Sequence, residues 1–183
     1  PERDGRFLSN TWGDRSRDTR IQADFLMREV AAGAALGVVV AQIDDGWQLG
    51  TTSNSALAQQ QGGVWEGYYA VRSDFWTVNP ERFPQGLEPV VAAAQAHGMG
   101  FGLWFSPDSS DDFSHWHRDA EVLLHLHERY GVNYFKIDGV KARTRLGEHR
   151  LHRFFNQVLE RSAGRVVFDL DVTAEVRPGY WGL

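Results

Sequence analysis

The 183-residue sequence contains no cysteine, which excludes a disulfide framework and a thiolate zinc site. It contains no apolar run long enough to span a bilayer. Residues 1–4 lack the pattern of a signal peptide, which leaves the compartment undetermined, with the cytoplasm as one option. Acidic residues outnumber basic ones, 24 to 19, and the net charge of −5 disfavours nucleic-acid binding. We therefore expect a globular protein that binds neither nucleic acid nor membrane.

A metal site is also not indicated. The sequence has seven histidines, but those at 115 and 117, and at 125 and 127, are two residues apart on or beside a predicted helix. Residues at this spacing do not share a helix face. His149 and His152 can share one, but no carboxylate completes a set of three or four ligands. The sequence therefore predicts no metal site.

What the sequence does contain is a regular alternation of strands and helices. The predicted strands cover residues 7–12, 38–43, 99–105, 132–138 and 166–170, and a helix is predicted in each of the four intervals. The run at 38–43 is nearly continuous in β-branched residues, which is typical of a strand buried on both faces of a parallel sheet. This alternation predicts an α/β fold in which helices cover a parallel sheet.

Two architectures fit this pattern, a doubly wound sheet and a (β/α)8 barrel. The doubly wound sheet usually binds its ligand through a glycine-rich phosphate turn, and the sequence has no good example of one. The barrel is favoured because polar and aromatic residues follow the predicted strands, at the face where such barrels carry active sites. These residues are Trp12, Asp44, Asp45, Asp108, Asp138 and Asp171.

A complete barrel has eight units and typically about 250 residues. We therefore expect residues 1–183 to form the N-terminal part of a partial (β/α)8 TIM barrel with about five βα units. Its two sheet edges need a cover, either the remaining barrel strands or an oligomer partner. The connection at residues 48–79 has no sustained period but is rich in aromatic residues, so we expect a folded excursion over the end of a strand.

Two groups of charged residues are candidates for chemistry. Alternation places Lys136 and Asp138 on one face of a strand, and a carboxylate beside a cation stays ionised, as a carboxylate nucleophile requires. Asp44 and Asp45 form a second group of two adjacent carboxylates, which accept hydrogen bonds. The alternatives are a solvent-exposed charge pair and an ordinary Asp-Gly turn. A basic patch after this strand is explained by a solvated face, and it consists of Lys141, Arg143, Arg145 and Arg150.

Four blocks of sequence resemble the α-galactosidases of glycoside hydrolase family 36, the melibiase type. They are Ile-Asp-Asp-Gly-Trp at 43–47, a longer block at 75–87, His-Gly-Met-Gly-Phe-Gly-Leu-Trp-Phe at 97–105, and Phe-Lys-Ile-Asp at 135–138. All four occur in the family's order, and the similarity extends from about residue 7 to the C-terminus. The combination is specific, whereas each block alone is a weak signal.

The resemblance implies hydrolysis of α-galactosides with retention of configuration, on a (β/α)8 barrel and without metal or cofactor. The implied nucleophile is Asp138, and the implied partner is a carbohydrate substrate. Lys136 is expected to contact a sugar hydroxyl. The other implied substrate-binding residues are Asp44, Asp45, Trp47, Trp104 and Arg177.

The sequence departs from the family at two places. Ser-Pro-Asp at 106–108 stands where the family has Glu-Pro-Glu, and residues 171–177 replace a segment containing glycine and cysteine. Related α-glycosides are therefore also expected as substrates. The family's acid/base comes from the sixth strand, so it is expected beyond residue 183, with Asp169 and Asp171 as local substitutes. The alternative functions are a non-catalytic carbohydrate-binding protein on a degenerate barrel and a transglycosylase of the same family.

Overall fold

The computed structural model describes residues 6–14 and 16–171. Five parallel strands form one sheet in chain order, and the sheet curls into half of a barrel. The strands are β1 (Leu8–Asn10), β2 (Val40–Ile43), β3 (Gly100–Phe105), β4 (Tyr134–Ile137) and β5 (Val167–Leu170). The predicted partial barrel with about five βα units is thus confirmed.

Four long helices and two short ones accompany the sheet. They are α1 (Ala23–Ala35), α2 (Ala58–Gln61), α3 (Tyr68–Val71), α4 (Glu88–Ala96), α5 (Trp116–Tyr130) and α6 (Arg145–Arg161). Helix α1 packs against α4, and α5 packs against α6. Short 3-10 turns follow β1 at Thr11–Asp14 and β3 at Ser110–Asp112. Each long helix lies between consecutive strands, as the alternation in the sequence predicts.

The ends of these helices follow from local sequence. Helix α5 ends at Gly131, which adopts the left-handed conformation (φ 76°) and donates its N–H to the carbonyl of His127. Helix α6 begins after Thr144, whose hydroxyl accepts a hydrogen bond from the N–H of Gly147 at 3.1 Å. All four residues of β2 are buried, in agreement with the prediction of a strand covered on both faces.

The segment between β2 and α4 is folded, and buried aromatic residues hold it together. Tyr68 and Phe75 are fully buried with ring centroids 4.7 Å apart, and both contact Trp76. The buried carboxylate of Asp18, which precedes α1, accepts hydrogen bonds from Ser55 at 2.6 Å and from Arg82 at 3.0 Å. This carboxylate therefore ties two distant points of the segment to the residue that precedes α1.

No helix in the described ranges, 6–14 and 16–171, combines the length and the apolar character needed to cross a membrane.

The alternating glycines of β3 make room for a neighbouring side chain. A Cβ atom added at Gly102 would lie 2.9 Å from Cβ and 3.0 Å from the carbonyl oxygen of Tyr134 on β4. It would also lie 3.3 Å from Cγ of Gln42 on β2. The space beside these glycines is thus occupied by the adjacent strands, so a larger residue forces the strands apart.

We expect Gly102→Ala to lower the free energy of unfolding by about 1–3 kcal/mol because the added methyl group overpacks the sheet. The matched control is Gly13→Ala, since a Cβ atom at Gly13 meets nothing within 4 Å. The control should change stability by less than about 0.5 kcal/mol. Urea unfolding of both variants measures the difference, and equal stabilities would contradict the packing described for β3.

Candidate active site

A cavity of about 430 Å³ lies at the C-terminal ends of the strands. Residues that follow β1, β2, β4 and β5 line it. Trp104 of β3, Lys136 of β4 and two residues of the folded segment between β2 and α4 complete the lining. The lining consists of Trp12, Asp44, Asp45, Asn54, Trp65, Trp104, Lys136, Asp138, Gly139, Val140, Lys141 and Asp171. This face is where barrel enzymes hold their substrates.

The ammonium group of Lys136 joins two carboxylates across the cavity. Its Nζ lies 2.9 Å from Oδ2 of Asp44, at the end of β2, and 3.4 Å from Oδ2 of Asp171, at the end of β5. Burial lowers the pKa of Lys136, but the charge of Asp44 and its hydrogen bond outweigh burial, so the pKa lies above its usual value. Lys136 therefore carries its positive charge throughout the physiological pH range.

Every oxygen of the Asp44 carboxylate has a donor. Oδ2 accepts hydrogen bonds from Lys136 and from Nδ2 of Asn10, the latter at 2.8 Å. Oδ1 accepts the backbone N–H of Asp45 at 2.9 Å. The side chain is 2% exposed, so these donors replace the water that it lost on folding.

Asp45 has a different environment, although it is the next residue. One of its carboxylate oxygens accepts a hydrogen bond from Gln48 at 2.7 Å, and the other accepts one from the hydroxyl of Thr52. Burial raises the pKa of Asp45 to about 7, against the opposing effect of these two hydrogen bonds. No lysine or arginine in the described residues pairs with Asp45, which is why burial prevails there.

The carboxylate of Asp138 faces the same cavity from the end of β4. Its Oδ2 accepts the indole N–H of Trp104 at 3.1 Å, and its Oδ1 accepts the backbone N–H of Gly139 at 2.6 Å. Lys136 forms its ion pairs with Asp44 and Asp171, while the charge of Asp138 also helps to raise the pKa of Lys136. Two neutral donors, and not a cation in contact, orient Asp138.

Trp47 lies outside the cavity lining, which corrects its expected place in the pocket wall. It is fully buried and stacks on Trp76 with ring centroids 6.0 Å apart. Its indole N–H donates to the carbonyl oxygen of Trp104 at 2.8 Å. The physical reason is that the chain turns at Gly46 (φ 122°), after which the side chain points into the core. Trp47 therefore packs in the core next to Trp104 and holds its backbone carbonyl group in place.

The remaining predicted residues divide between the cavity and its surroundings. Asp171 lines the cavity, whereas Asp169 is exposed and lies in register with Lys136 on the neighbouring strand. Arg177 lies outside the described residues. Trp65 and Lys141 are cavity residues that sequence reasoning missed. Trp65 lies in a segment without periodicity, so no pattern in the sequence indicated its position.

The arrangement provides one oriented carboxylate beside a set of hydrogen-bonding groups for hydroxyls. Asp138 presents its oxygens to a cavity whose other walls hold Asp44, Asp45 and Lys136. Carboxylates accept from hydroxyl groups, and an ammonium group donates to them. Among residues 6–14 and 16–171, no cluster of three or more His, Asp or Glu could hold a metal ion. The geometry suits a small ligand rich in hydroxyl groups.

Known proteins resemble the chain in sequence and in fold. A sequence profile of the family described as Melibiase matches residues 3–134. The chain is 31% identical over 85 residues to an alpha-galactosidase from Escherichia coli, a match that covers 46% of this chain and 10% of that protein. The chain thus spans a small part of the length of this relative.

Solved structures show the same fold. The chain is similar to the GH36 alpha-galactosidase AgaA from Geobacillus stearothermophilus, with a TM-score of 0.62 and 17% identity, over 92% of this chain and 28% of that one. A doubly substituted variant of that enzyme in complex with stachyose gives a TM-score of 0.60 and 16% identity, with the same coverage. These likenesses support the half-barrel.

The raised pKa of Asp45 predicts a pH dependence of stability. An unfolded aspartate has a pKa of about 3.9. Between about pH 4 and pH 7, the folded state therefore keeps a proton that the unfolded state has released, and stability falls as the pH rises. From about pH 5 to about pH 8, the parent protein should lose on the order of 2 kcal/mol more than Asp45→Asn.

Urea unfolding at the two pH values measures this difference. Asp119 is also buried with a pKa raised by burial to about 7, but it is present in both proteins and cancels. Equal losses in the parent and in Asp45→Asn would contradict the raised pKa.

Proposed function

Because the chain belongs to the Melibiase family, we propose that it forms the nucleophile-bearing part of a retaining glycosidase that acts on α-galactosides or related α-glycosides. The observation that carries this proposal is the shared cavity of Asp138, Asp44 and Asp45. A nucleophile must face the same space as the groups that hold the sugar. The similar Geobacillus enzyme has a variant in complex with stachyose, an α-galactoside, which supports this class of substrate.

In the proposed mechanism, Asp138 attacks the anomeric carbon, and the bond to the leaving-group oxygen breaks. The leaving oxygen takes a proton from a second carboxyl group, and a covalent glycosyl–enzyme forms. The second group, now a carboxylate, removes a proton from water, and the hydroxide oxygen displaces Asp138 from the sugar. The hydrogen bonds from Trp104 and Gly139 keep Asp138 oriented in the first step.

The second carboxyl group belongs, in this proposal, to a part of the barrel beyond the described residues. The other acidic residues that line the described cavity already form ion pairs or hydrogen bonds within the protein. Asp44 and Asp171 are paired with Lys136, and both oxygens of Asp45 accept hydrogen bonds. In the same proposal, Asp44 and Asp45 accept hydrogen bonds from hydroxyl groups of the sugar, and Lys136 donates a hydrogen bond to one hydroxyl.

Covalent labelling tests the assignment of Asp138. We expect a fluorinated galactosyl fluoride to label Asp138, because fluoride leaves without needing a proton from the second carboxyl group. Peptide mass spectrometry locates the label, and Asp138→Asn should abolish it. Asp169→Asn is the control, because Asp169 is an exposed acid outside the cavity lining. Binding of the reagent without labelling would favour a carbohydrate-binding protein without catalysis.

The hydrogen bond from Trp104 supplies a second test. We expect Trp104→Phe to lower kcat about 10–100-fold on an aryl α-galactoside, because it removes one donor to the charged Asp138. Trp76→Phe is the matched control, since this buried tryptophan has no hydrogen-bond partner for its indole N–H among the described residues. Equal values of kcat for the two variants would show that the indole N–H of Trp104 does not assist Asp138.

A further inference from the structure

Lys141 has a position that the sequence did not indicate. The basic residues after β4 were expected to form a solvated face, but Lys141 lines the cavity that holds Asp138. It belongs to the loop between β4 and α6, which extends beyond the strand end. Lys141 therefore borders any ligand that occupies the cavity together with the proposed nucleophile.

The loop holds Lys141 in a fixed direction. Its neighbours Val140 and Ala142 are each 1% exposed and pack in the core, whereas Lys141 itself lines the cavity. The backbone N–H of Lys141 donates to the hydroxyl of Ser109 at 3.1 Å. Arg143, two residues further along the loop, donates two hydrogen bonds to Glu66 in the segment between β2 and α4, at 2.8 and 3.1 Å. Lys141 is therefore presented to the cavity by a segment anchored on both sides.

Lys141 differs from Lys136 in its charged neighbours. Lys136, the other lysine of the cavity, pairs with both Asp44 and Asp171. The hydrogen bond from Arg143 lowers the pKa of Glu66, burial opposes this effect, and the charge of Lys141 lowers the pKa further. Both carboxylate oxygens of Glu66 accept hydrogen bonds from Arg143. Within the described ranges, Lys141 makes no ion pair.

We infer that Lys141 selects substrates whose leaving group carries an anionic substituent, such as a carboxylate. This inference rests on the proposed glycosidase function. A neutral leaving group that covers Lys141 removes water from the ammonium group and supplies no counter-charge. An anion on the leaving group supplies that charge and accepts a charge-assisted hydrogen bond.

The test compares two substrates that differ in one charge, 4-carboxyphenyl α-galactoside and 4-carbamoylphenyl α-galactoside. The ratio of kcat/KM for the acid over the amide should fall about tenfold in Lys141→Met, as expected for one charge-assisted hydrogen bond. Lys141→Arg should retain most of the ratio. Arg145→Met removes an exposed cation outside the cavity lining and should leave the ratio as it is.

The outcomes separate this inference from the proposed function. If both substrates are cleaved and Lys141→Met keeps the ratio of the parent protein, the role of Lys141 is overturned while the glycosidase stands. If neither substrate is cleaved, calorimetry of the same two compounds decides. Tighter binding of the acid that is lost in Lys141→Met supports the inference without hydrolysis. Equal binding, or no binding of the acid, overturns it.

Discussion

The ion pair between Lys136 and Asp44 connects the parts of the site that the fold keeps apart. Strands β2 and β4 are separated by β3, so their backbones lie about 10 Å apart. Continuing the register of β2 and β3 by one residue places Asp44 beside Trp104, which pairs with Lys136 on β4. Only a long side chain reaches across β3. The lysine therefore serves as a bridge over the central strand as well as a donor to the cavity.

The carboxylates of the site differ in the groups that contact them. Asp44 pairs with a lysine and accepts two further hydrogen bonds. Its neighbour Asp45 accepts hydrogen bonds but has no cation beside it, and burial raises the pKa of Asp45 to about 7. Asp138 is oriented by an indole and a backbone N–H, which leaves its oxygens directed toward the cavity. These differences come from neighbouring strands and loops, since parallel strands bring distant segments to one edge.

The alternation of strands and helices was predictable from periodicity, and α5 has the bounds that its apolar stripe and Gly131 indicate. The gathering of Asp44, Asp45, Lys136 and Asp138 also followed, because parallel strands bring their carboxyl ends together. Side-chain direction outside the strands was not predictable. Trp47 follows a glycine turn and enters the core, and Lys141 lies on a loop whose orientation depends on buried neighbours. Strand periodicity contains no information about such positions.

The carboxylate of Asp18 determines which part of this domain can vary in length. It binds Ser55 and Arg82, which enclose the part of the chain that contributes Trp65 to the cavity. With its ends tied to one residue, the segment is a closed excursion whose length can change at small entropic cost. Insertions and deletions between these anchors alter the shape of the pocket wall while the sheet keeps its register. The half-barrel thus combines a sheet of fixed register with a wall segment whose length can vary independently of that sheet.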